Sequence, residues 1–215
     1  MAESRLPRTS QHGPHRRLDE TVVRHLRHPW RSPVRDYSRR AFDELAASMD
    51  SGSPLVLDSG CGTGASTAVL AAAHPECVVI GIDKSAERLA RAPRLPGNAR
   101  LVRAELSDIW RLLRESGRTL ARHYLLYPNP WPKPGHLKRR WHGHPAFPEL
   151  LALGGRLELR SNFELYVDEF ARALMLAGVV DVKVVSFGAD EPISPFERKY
   201  ALSGHRLFQL TATVE

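Results

Sequence analysis

Residues Pro54–Gly64 read PLVLDSGCGTG, and the fold turns on how that run is parsed. Leu55, Val56 and Leu57 form a short apolar run without polar alternation, the pattern of a strand buried on both faces. The run stops at a corner with the spacing G-x-G-x-G, and GASTAVLAAAH behind it has helix composition. Glycine is needed where backbone turns with positive φ and must approach a ligand without a Cβ in the way. A buried strand, a glycine corner and a helix together make the opening unit of a parallel sheet covered by helices.

The rest of the chain repeats that alternation. CVVIGID, ARLVRAE, RHYLLYP and GGRLELRSN read as further strands, and SAERLARA, the stretch through Ile109–Leu113, AFPELLAL and FELYVDEFARALMLAG as the helices between them. VVDVKVVSF follows, and RLFQLTATVE alternates like a closing edge strand. The expected fold is α/β: a doubly wound, mostly parallel, seven-stranded Rossmann-like sheet with helices on both faces. Before it, the first 17 residues read as a flexible arm rich in Arg, His, Ser and Pro. A helix is expected from a cap near Asp19 to about His28, then a break at HPWRSP, then a second helix over Val34–Met49. The expected division is a basic arm with its helices over 1–50 and a catalytic domain over 51–215.

The chain has 215 residues, 42% of them hydrophobic, which suits one globular domain with a real core. No apolar stretch approaches the roughly 18 residues of a membrane span, and the charged N-terminus has no apolar segment behind it, so a cytoplasmic protein is expected. Cys61 and Cys77 make neither a disulfide framework nor a zinc motif, and the histidines lack metal-helix spacing. The formal charge is +7. Residues 1–40 hold ten arginines against four acids, and residues 133–144, KPGHLKRRWHGH, hold four cations and no acid. Arginine interleaved with Trp30, Tyr37 and Trp141 points to nucleic acid, because guanidinium forks fit phosphate and aromatic rings stack on bases.

In such a sheet the ligand lies beyond the carboxyl ends of the strands. A dinucleotide corner reads G-x-G-x-x-G; this one, Gly60-x-Gly62-x-Gly64, follows an acid, Asp58, that would repel a pyrophosphate and attract an ammonium group. Asp83 ends the second strand, placed to accept from two ribose hydroxyls, and Glu105 ends the third. Three acids at three strand ends suit a cationic nucleoside without phosphate, S-adenosyl-L-methionine. The fourth strand runs into YPNPWPK, where prolines 128, 130 and 132 restrict the backbone around Asn129 beside the expected methyl group.

LDSGCGTG, GID, LVRAE, YPNPWPKPGHLKRRW, RSNFELYVDEF and SPFERK follow in order the motif series of the bacterial tRNA (guanine-N7)-methyltransferases, which this chain resembles over roughly residues 54–215. The resemblance implies a class I methyltransferase fold, S-adenosyl-L-methionine as cofactor and tRNA as partner. It implies that Asp58, Asp83, Glu105 and Asn129 line the cofactor, with Asn129 at the catalytic corner. It further implies that Lys133, Asn162, Ser194 and Glu197 meet substrate. His136, Lys138, Arg139 and Arg140 are expected to grip RNA backbone. The family's usual strings carry glutamate at 58 and 83 and aspartate at 105, 129 and 162. The first three changes keep charge and alter reach; Asn129 and Asn162 each lose a carboxylate, and with it the paired acceptors that match a guanine Watson–Crick edge. Two other functions stay open: an amino-methyltransferase that uses the Asn-Pro-x-Trp corner to accept an amine's protons, and a silent RNA-binding protein of this fold. The glycine spacing speaks against a dehydrogenase.

Overall fold

The computed structural model describes residues 4–48 and 52–215. Met49 and the expected domain join at 50–51 lie outside the described residues. The first two helices are α1 (Leu18–Arg27) and α2 (Asp36–Ser48). Helix α1 buries Leu18, Thr21, Val22 and His25, one helical stripe, and carries acids in its first turn and bases in its last, which suits the helix dipole. Asp19 is not its cap; Arg17 holds that position, and Asp19 instead takes a two-point bond from Arg172 at 2.6 and 2.5 Å.

From Leu55 the chain alternates as the apolar runs dictate: β1 (Leu55–Ser59), α3 (Ala65–Ala73), β2 (Val78–Asp83), α4 (Ala86–Leu89), β3 (Ala99–Arg103), α5 (Leu106–Glu115) and β4 (Arg122–Leu126). Two short 3-10 turns, Pro134–Arg139 and Trp141–Gly143, precede α6 (Phe147–Leu151), β5 (Gly155–Ser161), α7 (Glu164–Leu176), β6 (Lys183–Phe187), α8 (Pro195–Leu202) and β7 (Leu207–Val214). The seven strands lie in the order β3-β2-β1-β4-β5-β7-β6, with β7 antiparallel to both of its neighbours and the others parallel. All five residues of β1 are buried, as a central strand covered on both faces must be.

The sheet's far end differs from expectation. The last strand, β7, is not an edge: it slots between β5 and β6, and β6 forms the border with four of its five residues exposed. Of these two strands β7 is longer and buries five of its eight residues, so the interior place goes to the strand with more apolar surface to hide.

The segment expected to be a flexible arm is a strap along the body over residues 4–17. The Ser4 amide donates to Ser203 Oγ (3.1 Å), the Ser4 carbonyl faces His205 Nε2 (2.8 Å), and Thr9 Oγ1 donates to the Pro132 carbonyl (2.7 Å). Backbone polar groups paired at these points supply the ordering that composition alone did not promise. Among the described residues no helix is long and apolar enough to cross a membrane.

Candidate active site

The site lies along the carboxyl edge where β1, β2, β3 and β4 end side by side. Register places Asp58 opposite Gly81 on one neighbour and Tyr124 on the other, so both bends that follow β1 and β4 hang over the same edge.

At the glycine corner, Gly60, Gly62 and Gly64 have φ of 85°, 61° and 77°, a region costly for any residue with a Cβ. Gly60 and Cys61 amides both bond the Ile82 carbonyl, which stitches the turn to the end of β2. A Cβ at Gly81 would lie 2.2 Å from Thr67 Oγ1, so that glycine lets α3 settle on β2.

Asp58 is 1% exposed, and its Oδ2 accepts from Ser66 Oγ and Thr67 Oγ1, both at 2.7 Å. Its Oδ1 is buried without a partner. Burial pushes this carboxyl up to about 6, against the two hydroxyls that pull it down. An acceptor left bare beside a glycine turn is completed by a cationic donor, so the residues present fit a ligand bearing an ammonium group. Asp83 is more committed than expected. Its Oδ1 takes the Ser85 amide (2.8 Å), and its Oδ2 takes the Gly62 amide (3.0 Å) and Arg88 (3.2 Å). A carboxylate has about four acceptor positions, so pairing with two ribose hydroxyls requires the half-exposed Arg88 to swing away. Glu105 stands two residues beyond β3's last pair, its amide on Ser38 Oγ and its carboxylate 3.9 Å from Lys84. Ser59, next to the corner, is braced from behind by Trp110 Nε1 (3.1 Å) and by His123 Nε2 (2.8 Å).

The proline corner is built otherwise. Among the described residues, the non-glycine positions with positive φ are Tyr127 (51°) and Trp131 (43°), which bracket Pro128-Asn129-Pro130. Such positions cost roughly 1–3 kcal/mol each and persist only when surroundings impose them. Tyr127 is held by its hydroxyl, which donates to Glu197 Oε2 (3.0 Å), and by its amide, which donates to the Arg160 carbonyl (2.8 Å). Asn129 is exposed at the tip, and its Oδ1 accepts the Trp131 amide at 3.3 Å. Lys133, Lys138 and Arg139 are exposed beside it, with the Arg139 guanidinium 4.8 Å over the Trp131 ring, and His136 is half-buried against the same ring.

Two expectations are corrected. Arg140 does not face solvent to grip RNA: it is 0% exposed and pairs with Glu169, itself 0% exposed. Glu197 does not face substrate: it is fully buried and binds Tyr127, Arg160 and the Ile193 amide. Ser194 caps α8 by accepting the Glu197 amide, and the largely buried Asn162 donates Nδ2 to His205 Nδ1 (2.9 Å). Asn162 also lines an open cavity of about 1120 Å³ to whose wall the strap contributes Arg5 and Arg8. Sequence reading missed Arg88, Ser66, Thr67, Thr9, Gln11 and Glu169. A signal existed for the last: Glu169 lies on the stripe of α7 that buries Tyr166, Val167, Phe170 and Ala173, and an acid on an apolar stripe implies a buried partner.

A family model described as "Putative methyltransferase" matches residues 52–184. A tRNA (guanine-N(7)-)-methyltransferase of Stutzerimonas stutzeri is 30% identical over 184 residues, covering 80% of this chain and 76% of the relative. Its counterpart from Leifsonia xyli is 31% identical over 172 residues, covering 73% and 74%. The chain belongs to this methyltransferase family. Among solved structures, the 16S rRNA (adenine(1408)-N(1))-methyltransferase of Catenulisporales acidiphilia superimposes with a TM-score of 0.55 at 21% identity, covering 80% of this chain and 90% of that one, a likeness of fold. Asp58, Gly60, Gly62, Gly64, Asp83 and the Asn129 corner all lie within the matched 52–184 span, whereas the strap and Glu197 lie outside it.

Proposed function

We propose that this methyltransferase binds S-adenosyl-L-methionine at the glycine corner and methylates N7 of a guanine in tRNA. The observation that carries the reading is the juxtaposition of two bends on one sheet edge. One holds a bare buried carboxylate oxygen on Asp58, and the other presents Asn129 among exposed cations. When bound, the cofactor supplies a methyl group on a cationic sulfur. Guanine N7 is an in-plane lone pair with no proton to remove, so the protein's task is alignment and exclusion of water, worth up to about 7–11 kcal/mol in favourable cases.

Asp58 attracts the ligand's ammonium group, and Asp83 and Glu105 take its hydroxyls and base side. Asn129 orients the target. Its side-chain amide can donate from Nδ2 to guanine's O6 acceptor next to N7, where adenine carries an N6 amine instead. Lys133, Lys138 and Arg139 hold phosphate, and a tRNA substrate makes the cytoplasm the compartment of action.

Unmodified total tRNA incubated with labelled cofactor should yield N7-methylguanosine, recognised by nucleoside mass spectrometry and by strand scission with borohydride and aniline. Label in a scission-resistant base would replace this reading with amine methylation. No label, with cofactor binding intact by calorimetry, would make the protein silent. Lys138→Ala with Arg139→Ala should lower tRNA affinity and reduce the log–log salt slope by about 2 while cofactor affinity stays unchanged.

A further inference from the structure

Three consecutive carbonyls of the proline corner, those of Trp131, Pro132 and Lys133, are each held by a side chain from elsewhere. Arg140 Nε donates to the Trp131 carbonyl (3.1 Å) and its Nη2 to that of Lys133 (3.4 Å), while Thr9 of the strap donates to that of Pro132 (2.7 Å). Arg140 cannot wander: it is fully buried, its Nη1 pairs with Glu169 Oε2, and its Nη2 also donates to Gln11 Oε1 (2.7 Å). Glu169 is the common post. Its Oε1 accepts from the His15 amide (2.7 Å) and Gln11 Nε2 (3.2 Å), both in the strap, and its Oε2 also receives His142 Nε2 (2.9 Å). Gln11 therefore bridges the ion pair, its oxygen on the arginine and its nitrogen on the glutamate.

A buried ion pair bonded on both sides, as here, fixes geometry more than it adds stability. The geometry it fixes is that of the strained segment that ends at Trp131 and carries Asn129. We infer that Thr9 and Gln11 of the N-terminal strap, with Arg140 and Glu169, are positioning residues for methyl transfer: they hold the bend at the setting from which Asn129 aligns the target base. The inference rests on the function proposed above and adds to it a role for the strap other than grip on RNA.

The test is the full-length Thr9→Val, Gln11→Ala double variant beside Thr9→Ser and wild type, assayed on unmodified tRNA at saturating concentrations. The double variant should lose roughly ten- to hundredfold in kcat, the scale of an ångström-level misplacement. Its KM for tRNA and its cofactor dissociation constant should stay within about twofold of wild type, a split that simple loss of RNA contacts would not give. Thr9→Ser, which keeps the hydroxyl donor, should retain the wild-type rate. A raised KM with unchanged kcat would make the strap an RNA grip, a raised kcat would make it a lid, and unchanged kinetics would remove its role; each overturns the inference. To separate its failure from failure of the tRNA reading, 5-fluorotryptophan is incorporated and the Trp131 resonance assigned with Trp131→Phe. That resonance should shift or broaden in the double variant whether or not any RNA is methylated, and an unmoved resonance would equally overturn the inference.

Discussion

At the glycine corner the residues with positive φ are Gly60, Gly62 and Gly64; at the proline corner they are Tyr127 and Trp131. The first bend is made of residues that accept the conformation at no steric cost, and its partners lie within about two dozen positions: Asp58 bonds Ser66 and Thr67, eight and nine positions on, and the Gly60, Cys61 and Gly62 amides bond Ile82 and Asp83. The second bend is forced on residues that resist it. Arg140 holds it from nine positions on, but its other holders come from far away, with Glu197 lying 70 positions from Tyr127 and Thr9 lying 123 from Pro132. A locally specified turn keeps its shape when distant parts change. An imposed one is hostage to them, and the difference separates how mutations in each should behave.

The largest effect is expected from Glu197→Ala. It removes the acceptor of the Tyr127 hydroxyl and the Ile193 amide and one of two partners of Arg160, deep in the interior. Breaking a buried charged pair costs about 3–5 kcal/mol. Denaturant unfolding should show a loss near the lower figure, since Glu158 still serves Arg160, and methyl transfer should fail although residue 197 lies far along the chain from the bend. If activity survived with Tyr127 unsupported, the second bend would be as self-sufficient as the first. Gly64→Ala comes next. The left-handed conformation costs a residue with Cβ roughly 1–2 kcal/mol, and the new methyl would start 2.7 Å from a Leu101 methyl that must shift. Cofactor binding measured by calorimetry should weaken while KM for tRNA stays put, because the damage is confined to its own turn.

Asp58 supplies a third, smaller effect through pH. Its carboxyl stands at about 6 in the fold, above the 3.8 of a free side chain, so between those values the folded protein binds more protons than the unfolded one. The sign follows: this group's contribution favours the fold at low pH and is lost as pH rises through 6. Cofactor binding runs the other way, because a neutral Asp58 has no charge for an ammonium group. Affinity should fall about tenfold per unit below pH 6, roughly 1.4 kcal/mol at pH 5. In Asp58→Asn the profile should be flat in that range; a wild-type profile that is flat as well would remove Asp58 from ligand binding.

The same contrast explains what could be read from the chain alone. The sheet was legible because buried parallel strands and their helices announce themselves by local apolar runs, and the glycine corner because its spacing, φ requirement and flanking acid are neighbours. The interior place of β7 was not, since alternation in RLFQLTATVE says which face is buried and nothing about which strand lies alongside. KPGHLKRRW read as uniformly basic, but one cation in it, Arg140, is inside, and only the acid on α7 could have separated it from Lys138 and Arg139. The strap's order was hidden for the same reason: its partners, Pro132, Glu169 and Ser203, are more than a hundred positions away.

The smallest expected effect is the sharpest test of whether the proline corner is imposed. If Arg140 holds Trp131 in a conformation the residue resists, then a glycine in its place should need less holding. Arg140→Ala in the wild-type background loses the bonds to the Trp131 and Lys133 carbonyls, leaves Glu169 short of its cation, and lets the bend relax. In a Trp131→Gly background the first two losses remain but the conformational contribution disappears, because glycine adopts positive φ freely. Denaturant titrations of the four proteins should therefore give a coupling of about 1 kcal/mol, with Arg140→Ala costing less in the Trp131→Gly background, on the scale of a single left-handed residue. The Trp131 ring also stacks under Arg139, and that contact is lost in both Trp131→Gly proteins, so it cancels from the cycle. Additive costs would mean that the tryptophan sits at φ 43° for reasons local to its prolines, and the two corners would then be alike in kind.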